Sequence, residues 1–507
     1  MSETVHLSNK SSGLLQASRN SAGANMSQYT YSMSKPSVNK FIDKWQKTTF
    51  QGADWGREVT ASIPPYGLVK SMMVKFNISF TPQSVVSSTN ANVGTAATEN
   101  GDKELASKNK LLFSRAMGAH VVSRAVLQSH SREIESLYPE VVQWKCYQKG
   151  RENSKRIRLM MYDDVPSGDK VTLKAASNIG SITHRQAHPV YTRPISFDVY
   201  MPLDFSFMSS DKCLINSRFQ EKTEVLLNIN PYTEIIAGTS TAFAAEGAPK
   251  LNSAELYTEI VSITPEDLKE IEKTNHSLTT PLSMLTTNWK RIPKTVEING
   301  QITANTTFSS GARDVFATKT TMNIFQTELA AGLIVCVKQN RTPANLATIA
   351  TAYNAGIPAA EPKTVGERDL GGNNGQYQRI LEISLEAGGR TIFKSSGDEC
   401  LLLASHFGNW YAESHQEVGL IADPTTFAHK DLIYAIPLGD DIREDTKIDG
   451  CVAFKNLNNL TLSVTFEHAN ASAGGTNRSF DVLCYVKHFS SVSINSNDGR
   501  VSKSLST

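Results

Sequence analysis

Apolar side chains recur at every second position over short runs along most of this chain, and only an extended, pleated backbone puts such residues on one face. The clearest run is Leu460, Leu462, Val464 and Phe466, interleaved with Thr461, Ser463 and Thr465. It predicts a strand that is buried on one face and wet on the other, with Phe466 in a core. Ile195, Phe197 and Val199 repeat the pattern, as do Val296 with Ile298. Leu381, Ile383 and Leu385 do the same and run into Gly388-Gly389, a hairpin-turn signal. The chain is expected to be mainly β.

Helical pattern is scarce. Its best instance starts with Thr264 as a cap, Pro265 in the first turn, and Glu266 and Asp267 at the positive helix end, before Leu268 and Ile271. It precedes the Pro-, Ser- and Thr-rich run Thr279 to Asn288, so it reads as a connector between two β bodies of similar size, with the boundary near residue 285. The expected division is an N-terminal arm (1–39), a first sandwich (40–285), a second sandwich (286–500) and a C-terminal tail (501–507). The stretch Met1 to Asn39 holds ten serines and few large apolar residues, too little to offset its ordering entropy without neighbours. Long polar insertions at Ser84 to Lys110 and Thr342 to Gln376 read as loops on one rim. No repeat of fixed period is visible, which disfavours solenoids and propellers.

Composition excludes several classes of protein. With 51 Lys+Arg against 49 Asp+Glu over 507 residues, bulk charge names no partner. The longest apolar run, Ala330 to Val337, is far short of the roughly 18 to 20 residues that cross a bilayer. The first thirty residues lack a basic start followed by an apolar stretch, so secretion by that route is not expected. Cys146, Cys213, Cys336, Cys400, Cys451 and Cys484 are scattered, form no C-x-x-C pair, and read as reduced, mostly buried thiols.

The sequence carries no motif of a chemical site. Phosphate-loop, dinucleotide, zinc-protease, nucleophile-elbow and calcium-loop patterns are absent. His184 and His188 lie in a loop context that suits a surface better than a metal. Asp163-Asp164 and Asp440-Asp441 sit beside Pro and Gly, where Asp bonds its own backbone in a turn. The basic stretch Lys149 to Arg158 contains no aromatic residue on which a base could stack, so it reads as a solvated or subunit-facing loop. Sequons at Asn77, Asn275, Asn305, Asn459, Asn470 and Asn477 matter only in a secreted chain. No catalytic, cofactor-binding or metal-binding residue is nominated, and no enzyme activity is expected.

Read in order, several segments form a recognisable succession. Phe41-Ile42, Phe50 to Arg57 and Ile63-Pro64-Pro65-Tyr66-Gly67-Leu68-Val69 lead into the apolar run Met72 to Phe80. Met117-Gly118-Ala119-His120-Val121-Val122, Val126-Leu127 and Arg132 to Glu135 follow as strands, then Glu140 to Tyr147 as a short helix. Tyr200-Met201-Pro202-Leu203-Asp204-Phe205-Ser206-Phe207 leads through Cys213-Leu214-Ile215 to Glu224-Val225-Leu226-Leu227. The second half continues with Leu381 to Arg390, Leu432 to Leu438 and Val482 to Ser496. Over most of residues 38 to 500 this resembles the double jelly-roll major capsid proteins of the lineage of nucleocytoplasmic large DNA viruses, virophages and polinton-like viruses. Met201 and Asp204 stand where Ile and a second Pro are common in that family, and only Gly450 remains of its P-S-G motif, which tilts the likeness toward the smaller viruses.

The resemblance implies two tandem eight-stranded jelly rolls with short connecting helices and a flexible N-terminal arm. It also implies a homotrimer of pseudo-hexagonal outline in an icosahedral virion capsid assembled inside a host cell. Its partners would be further capsomers and penton and minor capsid proteins, with or without an internal membrane beneath the shell, and without cofactors or sequence-specific nucleic acid. The rival reading is a β-sandwich carbohydrate-binding module or glycan-active protein, which would need convergent aromatics, yet Trp45, Trp55, Trp144, Trp289 and Trp410 do not cluster in sequence. A third reading, a scaffold of tandem sandwiches, would not need to form a closed oligomer.

Overall fold

The computed structural model describes residues 45–80, 116–148, 195–208, 223–235, 249–262, 282–298, 313–325, 329–340, 377–397, 433–439, 451–457, 459–468 and 478–494, with the short pieces 30–32, 41–42, 212–215, 308–310, 399–400, 442 and 501–505. The Thr264 helix, the two long insertions, His184, His188, both Asp pairs and Lys149 to Arg158 lie outside the described residues.

The chain begins with two short strands, β1 (Thr30–Ser32) and β2 (Phe41–Ile42). Next come β3 (Gln46–Thr49), β4 (Glu58–Ser62) and β5 (Leu68–Phe80). Met117–His120, expected to be extended, instead forms a single helical turn, α1, that leads into β6 (Val122–Ser129) and β7 (Arg132–Leu137), and the helix α2 (Pro139–Gln148) follows. The first body ends with β8 (Ile195–Pro202), β9 (Lys212–Ile215), β10 (Thr223–Ile229) and β11 (Lys250–Ser262).

Its principal strands form two facing antiparallel sheets, β3-β11-β5-β8 and β4-β10-β6-β7. Counted along the chain these are strands 1-8-3-6 and 2-7-4-5, the connection of a jelly roll. β1, β2 and β9 extend the first sheet, so three residues within the expected arm are paired to β9.

The second body repeats the plan. Its strands are β12 (Leu282–Ile298), β13 (Phe308–Ser310), β14 (Arg313–Asn323), β15 (Leu329–Gln339), β16 (Ile380–Ala387) and β17 (Arg390–Ser396). After them come β18 (Tyr434–Pro437), β19 (Val452–Ala453), β20 (Thr461–His468), β21 (Arg478–Ile494) and β22 (Val501–Leu505). The sheets are β12-β21-β15-β18 and β14-β20-β16-β17, the same order again, with β13, β19 and β22 as additions. The chain is a double jelly roll. Its last residues, expected as a tail, supply β22, paired with Ser490 to Ile494; with two large apolar side chains in five residues, that strand had too weak a pattern to see in sequence.

Alternation explains the cores. In β10, Val225, Leu227 and Ile229 point inward, and in β5 Val74, Phe76 and Ile78 meet them across the first sandwich. In β20, Leu462, Val464 and Phe466 are fully buried, with Leu460 just ahead, while Thr461, Ser463 and Thr465 stay half-buried. The Phe466 ring meets Phe480 of β21 at a centroid distance of 5.4 Å. Gly388 and Gly389 join β16 to β17 with φ of 54° and 79°, the two left-handed positions that a two-residue hairpin turn requires. One expectation is corrected in β16. A register shift between Ile380 and Glu382 takes Leu381 out of phase, so Ile380 is buried in its place and joins Ile383 and Leu385.

Replacing Phe466 by Ala leaves a cavity between the sheets and is expected to lower stability by about 3–5 kcal/mol, against less than about 1 kcal/mol for Thr465→Ala on the outer face. Urea denaturation of both variants checks the register, since equal losses would mean a strand buried on both faces.

Candidate functional site

The densest grouping of polar chemistry among the described residues lies where the two sandwiches meet, and α2 creates it. Pro139 opens the helix where a missing N–H is harmless, and Glu140 sits at its positive end. Val142 and Cys146, four residues apart, enter the first core, whereas Val141 and Trp144, three apart, enter the second. A helix that is apolar on opposite sides must be buried on both.

Trp144 packs edge-on against Trp289 of β12 at 6.1 Å between centroids, and Tyr138 lies 5.3 Å from Tyr485 of β21. Across the same contact the Asn288 amide donates to the Ile134 carbonyl (3.2 Å) and its oxygen accepts from the Ser136 N–H (3.2 Å). On the first-body side, Glu135 accepts from Ser206 N–H and Oγ (2.8 and 2.7 Å), and Lys145 donates to the Asp204 carbonyl (3.1 Å). These bonds pin the Pro202 to Ser206 corner against β7 and α2.

Between the bodies lies a charged and aromatic row. Tyr485 donates its hydroxyl to Glu140 at 2.6 Å, and Lys338 of β15 pairs with Glu234 and stands 3.8 Å from Glu140. Tyr377 donates to Gln143 Oε1 at 3.0 Å, and His120 Nε2 lies 3.1 Å from the same oxygen, a geometry that assigns the proton to Nε2. Burial, helped by the nearby Lys338 charge, pushes the His120 pKa down to about 4, so it is neutral at pH 7. Burial would raise the Glu140 carboxyl, but Lys338 and the Tyr485 hydroxyl outweigh it and hold it below the usual carboxylate range.

This set contains an acid, a base and a phenol, the residue types of acid–base catalysis. Their accessibility decides otherwise. His120, Glu140, Gln143, Tyr377 and Tyr485 are all at most 2 % exposed, so no substrate reaches them, and the row serves cohesion. Among the described residues no group of three His, Cys, Asp or Glu could hold a metal, and no helix is long and apolar enough to cross a membrane.

Trp144 and Trp289, distant in sequence, do meet, but they are sealed at 4 % and 2 % exposure and offer no platform to a sugar. Cys146, Cys336, Cys400, Cys451 and Cys484 are free thiols, and burial raises Cys400 and Cys484 to about 12. Sequence reading missed this junction. Its one available signal was α2 itself, whose apolar residues fall on opposite sides and so form no single stripe of the kind a surface helix carries.

No protein-family profile matches the sequence, and no curated protein matches it either. Solved structures do. The crystal structure of PBCV-1 VP54, as fitted into a reconstruction of the virophage Sputnik, shares 11 % identity at a TM-score of 0.56, covering 94 % of this chain and 99 % of that one. The quasi-atomic model of the PBCV-1 virus capsid gives 11 % identity, a TM-score of 0.57 and the same coverage. The Faustovirus major capsid protein gives 10 % identity and 0.54, with 92 % of each chain covered. At such identities the likeness is one of fold, and the shared fold is the double jelly roll of viral major capsid proteins.

Because the fold favours neutral His120, its contribution is complete above about pH 6.5 and is lost as pH falls from 6.5 toward 4, up to about 3 kcal/mol. Glu140, with its lowered pKa, adds a further loss below its ordinary value of 4.5. Denaturation at pH 7 and pH 4.5 should show that His120→Gln loses less stability on acidification than the parent chain. Removing one charge alone, as in Glu140→Ala, should cost about 3–5 kcal/mol, and the triple replacement Glu140→Leu, Lys338→Met and Glu234→Leu, which leaves no member of the row charged, much less. Reducing agent should leave the melting temperature unchanged, and a fall of several degrees would reveal a disulfide.

Proposed function

We propose that this chain is a structural major capsid protein that trimerises into pseudo-hexagonal capsomers of an icosahedral virus shell. It resides in the virion capsid, assembles inside the host cell and performs no catalysis. The observation that carries this reading is the repeat of one jelly-roll connection twice in a single chain, with the two copies joined by a sealed contact. Three such chains present six similar bodies around a threefold axis, and closed symmetry satisfies every repeated contact. The likeness of fold to the PBCV-1 and Faustovirus proteins supports the same reading. The proposed division between the bodies lies near residue 285, and the strands described on either side of it are β11, ending at Ser262, and β12, starting at Leu282 and pairing along its length with β21. Neighbouring capsomers, penton and minor capsid proteins are the proposed partners. Sequence-specific nucleic-acid binding is not part of the role.

Light scattering on the purified chain should give a trimer, and electron images should show a roughly hexagonal outline. Monomer alone from micromolar to near-millimolar protein would refute the proposal.

A further inference from the structure

We propose that the junction between the two sandwiches is an acid-operated hinge: as pH falls, His120 takes up a proton that it cannot hold in the closed form, and the two bodies part while each keeps its own core. The inference stands on the junction alone and does not depend on the capsid reading.

His120 belongs to the first body, but its cover comes from both. α2 sets Gln143 against Nε2. The second body brings Tyr377, whose hydroxyl lies 3.3 Å from Nε2, and Lys338, which is bridged to Tyr377 along the backbone. The remaining ring nitrogen, Nδ1, is buried and has no hydrogen-bond partner among the described residues. A proton added there puts a second donor and a full charge where no acceptor waits. The other elements packed on α1 are β6, β8 and the turn Tyr232–Ile235. β6 commits Arg124 to Glu133, and β8 commits Asp198 to Lys75. The charges that act on the ring are Lys338, Glu140 and Glu234. Both carboxylates favour the charged ring, but Lys338 engages them, and burial together with the Lys338 charge outweighs them.

Opening reverses this balance. Parting the bodies withdraws Tyr377 and Lys338, admits water to the ring and returns it to its ordinary pKa of 6.5, against about 4 in the closed form. Below pH 6.5 the open form therefore binds the proton first, and each further unit of acid favours opening by up to about tenfold until pH nears 4. Glu140, which Lys338 holds below its ordinary 4.5 against the effect of burial, adds its own uptake only under that value. At neutral pH, Val141 and Trp144 in the second core and Val492 in the first keep the joint closed. Because the two apolar clusters are otherwise separate, each body survives the release of the other.

The test reads two thiols on one sheet of the full-length chain. Register places Cys336 with Leu483 on the outer face of that sheet, toward the junction, and Cys484 with Val335 on the inner face, toward the core. Both are fully buried. Pulses of 4,4′-dithiodipyridine, which reacts with thiols in acid, are followed by mass spectrometry of the peptides, with each rate divided by that of the same thiol in the urea-unfolded chain. Cys336 should react at least tenfold faster than Cys484, since only the former is uncovered by the hinge. From pH 7 to pH 4.5 its rate should rise roughly 50-fold, the ratio that the two His120 pKa values allow. In His120→Gln the rise should shrink to at most about twofold, the share of Glu140. Equal rates for the two thiols would mean that exposure comes from unfolding of the second body, and would overturn the hinge. A flat Cys336 rate, or an undiminished rise in His120→Gln, does the same. Should His120→Gln fail to fold, the onset in the parent chain decides: a rise starting near pH 6.5 supports His120, and one confined below 4.5 assigns the effect to Glu140 and overturns the proposal.

Discussion

Burial of both faces of one sheet is the constraint on which the rest of the structure depends. An antiparallel sheet in a sandwich ordinarily keeps one face in water, but β21 is buried continuously from Val482 to Ser490. Val482, Cys484 and Val486 face their own core, while Leu483, Tyr485 and Lys487 face the other way. Once the outer face is dry, every polar group on it needs a partner. Tyr485 finds Glu140, Lys487 donates to the Ile442 carbonyl at 2.6 Å and lies 5.8 Å from the Trp289 ring, and Lys338 finds Glu234 and Glu140. The first body exists in its observed place because it supplies several of those partners.

The charged row also fixes how the two sandwiches sit. A purely aliphatic contact would tolerate sliding by a residue or two. The Glu140–Lys338–Glu234 row does not, because a displaced neighbour leaves a buried charge unpaired at several kcal/mol. α2 enforces the same placement sterically, since its apolar sides enter two different cores. Within the first body, Gly118 of α1 lies so close to β8 that an added Cβ would stand 2.3 Å from the Tyr200 carbonyl oxygen. The junction is therefore set by shape as well as charge.

The repeated topology has no counterpart in a repeated sequence. Alternation is degenerate: any apolar residue at every second position makes a half-buried strand, so two bodies can keep one order of eight strands while sharing no motif. That also explains why likeness to the solved capsid proteins extends over more than nine-tenths of the chain at about one identity in nine.

The sequence by itself determined the local features. Leu460 to Phe466 set their own strand and register, Gly388-Gly389 their own turn, and Pro139-Glu140 the start of α2, because each depends on neighbours a few residues away. The tertiary structure decided the rest. Whether Leu381 or Ile380 enters the core depends on a bulge opposite β20, a strand some eighty residues further along. The junction lay beyond reach for the same reason: Tyr485 and Glu140 are 345 positions apart, and His120 and Tyr377 are 257 apart. A glutamate, a lysine and a histidine look like solvated residues in any local window. Only when two sheets and a helix exclude water from among them do they become one buried, mutually dependent set.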